Sequence, residues 1–155
     1  MLKVGDTAPD IVATATDGKP FALSDQKGLC TVVYFYPKAF TPGCTQETKT
    51  FSANHMELQL VGANLVGVST DDGETQCRFA DELNTPFPLI ADEDKSISRA
   101  FDVLWPLVGF AKRVTYVIDS DMKIVGVFRH EMRIDELTDE VLRFVNAYFQ
   151  SRRKG

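Results

Sequence analysis

The sequence predicts an α/β fold, a central mixed β-sheet flanked by helices on both faces, with an N-terminal β-hairpin leading into it. Three observations predict it. Cys30-Thr31-Val32-Val33-Tyr34-Phe35-Tyr36 is β-branched and aromatic, apolar almost throughout, and stopped by Pro37, as a central strand covered on both faces should be. Segments with helical spacing alternate with short β-branched runs along the rest of the chain. An Asp17-Gly18 turn signal separates Ile11 to Thr16 from Phe21 to Leu23, which reads as a hairpin.

In chain order, Val4-Gly5-Asp6-Thr7-Ala8-Pro9-Asp10 is expected to be extended. After the central strand a helix is expected from about Pro42 to Val61, then a strand from Asn64 to Ser69. A helix from Gly73 to Leu83, a short strand near Phe87 to Ile90 and a short helix from Ser96 to Phe101 follow. Val114 to Ile118 and Ile124 to Phe128 should pair across the Asp119-Ser120-Asp121 turn. In a last helix, Ile134 to Phe149, the residues Ile134, Leu137, Val141, Phe144, Val145 and Tyr148 recur at helical spacing and mark a core-facing stripe.

Composition narrows the function. The 155 residues suit one domain spanning 1–155, with no repeat or long linker. A net charge of -5 gives a nucleic-acid role no electrostatic footprint, and Arg152, Arg153 and Lys154 read as a solvated basic end. Neither a signal peptide nor a membrane span is expected. Three cysteines, an odd number, make no disulfide framework, so the chain reads as cytoplasmic with its thiols reduced at rest. His55 and His130 form no ligand-spaced set, and His130-Glu131 lacks the second histidine of a zinc protease, so no metal is expected. No flavin, haem or phosphate-binding glycine loop is indicated, and the expectation is no cofactor. Asp71-Asp72 and Asp92-Glu93-Asp94 read as turns and helix caps.

The informative stretch is Pro37-Lys38-Ala39-Phe40-Thr41-Pro42-Gly43-Cys44-Thr45-Gln46-Glu47, where a buried strand ends and a helix begins. Thr41 suits the N-cap and Pro42 the first helical position, which puts Cys44 in the first turn. Free N–H groups and the positive end of the helix dipole favour a thiolate there. A small core residue that happens to start a helix is the plainer reading of the same placement.

Pro37, Thr41 and Cys44 match the peroxiredoxin active-site motif, and Thr45 and Glu47 resemble the peroxiredoxin Q (bacterioferritin comigratory protein) branch. The likeness extends in order over nearly the whole chain, through Val4 to Asp10, Val68-Ser69-Thr70-Asp71, Pro86-Phe87-Pro88-Leu89-Ile90-Ala91-Asp92, and Arg113 to Asp119. It implies a thioredoxin-like fold and a thiol peroxidase acting on hydrogen peroxide and organic hydroperoxides. Cys44 would be the attacking thiol, Thr41 would hydrogen-bond the peroxide and Pro37 would shield the nascent sulfenic acid. Arg113 would stabilise the thiolate and the leaving oxygen, with Glu47 placed to orient it; a surface cation and a solvated helix charge are the plainer readings of those two.

Attack on peroxide leaves a sulfenic acid that a second thiol condenses with. Many members of the branch carry that thiol five residues on, where this chain has Lys49. Cys30 reads as a core residue of the strand. A second group resembles this chain in carrying the thiol on the helix after Ser69-Thr70-Asp71, where Ala80 stands here; Cys77 lies one turn earlier, about 5 Å away. Resolution by Cys77 would therefore need the first turn around Cys44 to unwind. The alternatives are a one-cysteine peroxidase resolved by an external thiol, or a peroxide sensor or adaptor using Cys44. The implied reductant is thioredoxin or a similar dithiol, and the implied assembly a monomer or weak homodimer. A thioredoxin-like oxidoreductase is disfavoured because no Cys-x-x-Cys pair exists. The segment between Phe101 and Arg113 is shorter than in typical members and unusually apolar. It reads as the lining of a peroxide entrance or a dimer contact, and equally as ordinary core packing.

Overall fold

The computed structural model describes residues 1–130 and 133–153. Lys154 of the basic tail and Glu131 of the His130-Glu131 pair lie outside the described residues. Two short strands, β1 (Val12–Thr14) and β2 (Pro20–Ala22), form the antiparallel N-terminal hairpin. The main sheet has five strands: β3 (Cys30–Phe35), β4 (Ala63–Ser69), β5 (Leu89–Ala91), β6 (Val114–Asp119) and β7 (Ile124–Arg129). Their order is β5-β4-β3-β6-β7, with β3 parallel to β4 and antiparallel to β6, so the sheet is mixed and β3 is central. Every residue of β3 is buried, which is why its sequence is continuously apolar instead of alternating.

Alternation along β3 splits the core in two. Val33 and Phe35 face a cluster with Ile11, Phe21, Phe101 and Tyr116, roofed by the hairpin and the short helix α4 (Ser96–Ala100). Val32, Tyr34 and Tyr36 face the opposite cluster. That side is covered by α1 (Pro42–Ala53), α2 (His55–Leu60), Phe79 of α3 (Gly73–Leu83) and α5 (Ile134–Arg153). In α5 the expected stripe is present: Ile134, Leu137, Val141 and Val145 are buried, while Phe144 and Tyr148 stack half-buried at its edge.

Two expectations are corrected. The single helix from Pro42 to Val61 is two helices, because Asn54 leaves the helical region at φ -105, ψ 5 and its side-chain amide donates back to Thr50 O at 2.8 Å. That local bond offers the backbone an alternative to the helical ladder. The turn between β6 and β7 also takes in Met122, at φ 63, not only Asp119 to Asp121. The apolar segment after Phe101 divides: Val103 and Ala111 are core, whereas Leu107, Val108 and Phe110 stand exposed, so its tip is not core packing.

Gly67 of β4 sits where no side chain fits. A Cβ there would lie 2.7 Å from both Leu89 Cδ2 and Tyr34 Cζ. Gly67→Ala is expected to destabilise the fold by about 1–3 kcal/mol through overpacking. Urea unfolding should show a lower midpoint at unchanged slope.

Candidate active site

The sheet and one helix turn bring the site together. On β6, Val114, Tyr116 and Ile118 face the hairpin side, so Arg113, one residue before the strand, shares the parity of Val117 and faces α1. On α1 the buried residues are Cys44, Glu47, Thr48 and Phe51, an i, i+3, i+4, i+7 stripe. Arg113 reaches this stripe with a fork: Nη1 donates to Glu47 Oε1 at 2.8 Å and Nη2 donates to Cys44 Sγ at 3.4 Å. The Arg113 and Glu47 side chains are 6% and 0% exposed, so the pair is a buried one. Its Nε–H has no partner among the described residues. Burial alone would pull the guanidinium below its ordinary pKa, but the carboxylate of Glu47 and the sulfur of Cys44 outweigh that and hold it above.

Thr41 occupies the N-cap and Pro42 the first helical position, as expected, but the Thr41 hydroxyl caps nothing. It donates to Lys38 O at 2.7 Å, which commits its hydrogen and leaves the oxygen able to accept. The first helical bond is Thr45 N to Thr41 O at 2.9 Å, so the N–H groups of Gly43 and Cys44 precede the ladder. Gly43 lets the fork approach, since a Cβ there would meet Arg113 Nη2 at 3.1 Å. Pro37, half-buried, ends the strand and starts the loop. Cys44 itself is fully buried at the end of this loop.

Beneath the sulfur lies a polar floor that the sequence did not disclose. Tyr34 Oη shares a hydrogen bond with Thr48 Oγ1 at 3.0 Å, and Tyr36 Oη donates to Gln76 Oε1 at 2.6 Å. Burial keeps both phenols well above their ordinary pKa and therefore neutral. Asp72 caps α3 by accepting from Thr75 N, as expected, while its neighbour Asp71 bonds Ser69 locally and also reaches a distant loop. Asp71 Oδ2 accepts from Ala39 N, in the loop before Cys44.

The structure does not bring the cysteines together. All three are free thiols. Cys30 is buried at the far end of β3, about 17 Å of strand away. Cys77 is exposed on α3, its Sγ 4.0 Å from Thr16 O of the hairpin segment. Among the described residues no three His, Cys, Asp or Glu side chains cluster as a metal site.

Known proteins resemble this chain over nearly its whole length. The model of the AhpC/TSA family matches residues 4–127. Peroxiredoxin Bcp of Escherichia coli is 39% identical over 154 residues, covering 95% of this chain and 97% of that protein. The crystal structure of peroxidoxin BcpB from Mycobacterium tuberculosis matches with a TM-score of 0.88 at 35% identity, covering 95% of this chain and 98% of the other. A structure of Xanthomonas campestris bacterioferritin comigratory protein, studied for its alkyl peroxide reduction activity, matches with a TM-score of 0.82 at 30% identity over 90% and 92% of the two chains.

The thiols should differ in reactivity. Burial, with the Asp119 carboxylate adding to it, pushes the Cys30 thiol up to about 12, so it stays protonated at any physiological pH. Iodoacetamide at about pH 8 should modify Cys77 in the native protein and Cys30 only after denaturation. Native labelling of Cys30 as fast as Cys77 would contradict that assignment.

Proposed function

The chain belongs to the AhpC/TSA family and is a peroxiredoxin akin to the Bcp and Q proteins, a thiol peroxidase; on that premise we propose that Cys44 is the thiol that attacks the peroxide. The observation that carries this reading is the Arg113 fork spanning Glu47 and the Cys44 sulfur. A fixed guanidinium, already charged and desolvated, stabilises negative charge wherever it sits along the reaction, first on sulfur and then on the leaving oxygen.

The step follows from these groups. The Cys44 thiolate attacks the hydroxyl oxygen of the peroxide, forming an S–O bond as the O–O bond breaks. The hydrogen stays on the transferred oxygen, giving a sulfenic acid and an alkoxide, or hydroxide from hydrogen peroxide, which takes up a proton. Thr41, its own hydrogen committed to Lys38 O, accepts from the peroxide O–H and aligns it. The N–H groups at the start of α1 add donors toward the sulfur. Pro37 limits water at the sulfenic acid. Glu47 orients Arg113.

Organic hydroperoxides join hydrogen peroxide as substrates in this reading. Phe40, Leu107, Val108 and Phe110 are exposed apolar residues, and Lys38 of the active-site loop lies over the Phe110 ring at 6.0 Å, which supports the loop tip as part of the peroxide entrance. Cys77 is the resolving thiol: its sulfur condenses with the Cys44 sulfenic acid, releasing water and forming a disulfide. Cys44 is buried and Cys77 exposed on another helix, so the first turn of α1 must open in each cycle. Thioredoxin or a similar dithiol, in the cytoplasm, then returns both to thiols.

Turnover tests this assignment. Under NADPH with thioredoxin and its reductase, the wild type should consume hydrogen peroxide and Cys44→Ser should not. Arg113→Met should lose about 10²–10³-fold in kcat/KM. Cys77→Ser should still react once with peroxide yet lose thioredoxin-driven turnover. Undiminished turnover by Cys77→Ser would move resolution to an external thiol, and activity in Cys44→Ser would end the reading.

A further inference from the structure

The backbone leading into Cys44 is held in an unusual conformation. Phe40 sits at φ 66, in the left-handed region that a bulky residue rarely adopts. Its ring packs edge-on against Phe79 at 5.2 Å, with the Arg78 guanidinium 5.7 Å from its centre. Immediately before it, Ala39 is buried at 4% exposure. A buried backbone N–H needs an acceptor. Here the acceptor is Asp71 Oδ2 at 2.7 Å, supplied from beyond the end of β4, 32 residues away.

The bond is built rather than incidental. The same oxygen accepts from Ser69 Oγ at 2.7 Å, and Ser69 Oγ in turn accepts from Asp71 N at 3.3 Å. Ser69 is itself buried. A turn-forming aspartate would bond its own downstream N–H, and that task is taken by Asp72. Asp71 is thus not the cap of α3, and its Oδ2 ties the Ser69 turn to the loop. Two residues beyond Ala39, the Thr41 hydroxyl is set by Lys38 O, a group flanking the anchored amide. Holding Ala39 therefore holds both the strained Phe40 and the orientation of Thr41, one turn from the Cys44 sulfur.

We propose that Asp71 is a positioning residue for peroxide reduction: its carboxylate pins the Ala39 N–H and so holds the loop 37–41 closed over the buried Cys44. The proposal rests on the peroxidase reading of Cys44. Its consequence is a division of labour in one contact. With the anchor made, the sulfur is aligned for peroxide and shielded from larger reagents. With the anchor released, the strain at Phe40 favours opening, and Cys44 becomes reachable.

The test uses the full-length protein in a Cys77→Ser background, so that only Cys44 is followed. Two rates are measured: oxidation of Cys44 by hydrogen peroxide in a single turnover, and labelling of reduced Cys44 by a bulky aromatic disulfide. Loss of one charge-assisted hydrogen bond corresponds to about tenfold. Asp71→Ala should slow oxidation about tenfold and speed labelling about tenfold. Asp71→Asn should recover the oxidation rate to within about threefold, since an amide oxygen in the place of Oδ2 can accept from both Ala39 N and Ser69 Oγ. General unfolding would expose buried Cys30 to the label along with Cys44, whereas release of the anchor leaves Cys30 protected. If Asp71→Ala does not fold, Asp71→Glu, which displaces the oxygen by one methylene, should show the same opposed pair. Unchanged rates in Asp71→Ala, or an Asp71→Asn protein as impaired as Asp71→Ala, would overturn the proposal. Failure of the parent protein to react with peroxide would instead remove the reading beneath it, while the labelling rate would still report on the anchor.

Discussion

A buried arginine has to be answered by negative charge, and in this protein the answer is divided between Glu47 and the sulfur of Cys44. The rest of the site follows from that constraint. A guanidinium this buried would leave an uncompensated charge if Glu47 were lost, a loss of about 3–5 kcal/mol in comparable pairs. Glu47 alone takes one arm of the fork. The second arm is directed at the sulfur of Cys44. The contacts that answer the buried charge are therefore also the contacts that hold α1 against the start of β6.

Sheet geometry makes that meeting possible. β3 is central, antiparallel to β6, and pairs Phe35 with Val114. The end of β3, where the cysteine loop begins, is thus beside the start of β6, where Arg113 stands. The parity of β6 turns Arg113 to the α1 face, and the helical spacing of Cys44 and Glu47 offers it two partners one turn apart. A register slip of one residue would turn Arg113 toward the hairpin side and dismantle the site.

Much of this was legible before the structure. The continuous apolar run of β3, the Pro42 start of α1 and the stripe of α5 each carried a local signal strong enough to survive tertiary packing. The motif residues Pro37, Thr41, Cys44 and Arg113 were legible through resemblance, since spacing alone cannot join positions 69 residues apart. Asp71 was not legible: beside Asp72 it reads as one more turn residue, and only the fold shows that it reaches back to Ala39. The polar floor of Tyr34, Tyr36, Thr48 and Gln76 was hidden for the same reason, because aromatic strand residues look the same whether or not their hydroxyls have partners. Asn54 broke the long helix through a side-chain bond that helical periodicity does not register.

The central claim is that peroxide chemistry begins at Cys44, the cysteine held by Arg113. The most direct measurement treats the reduced protein with one equivalent of hydrogen peroxide and maps the thiols by mass under non-reducing conditions. The account predicts that Cys44 is the sulfur changed, joined to Cys77 with a loss of about two mass units. Oxidation confined to Cys77, or an unmodified Cys44 after the peroxide is consumed, would contradict it.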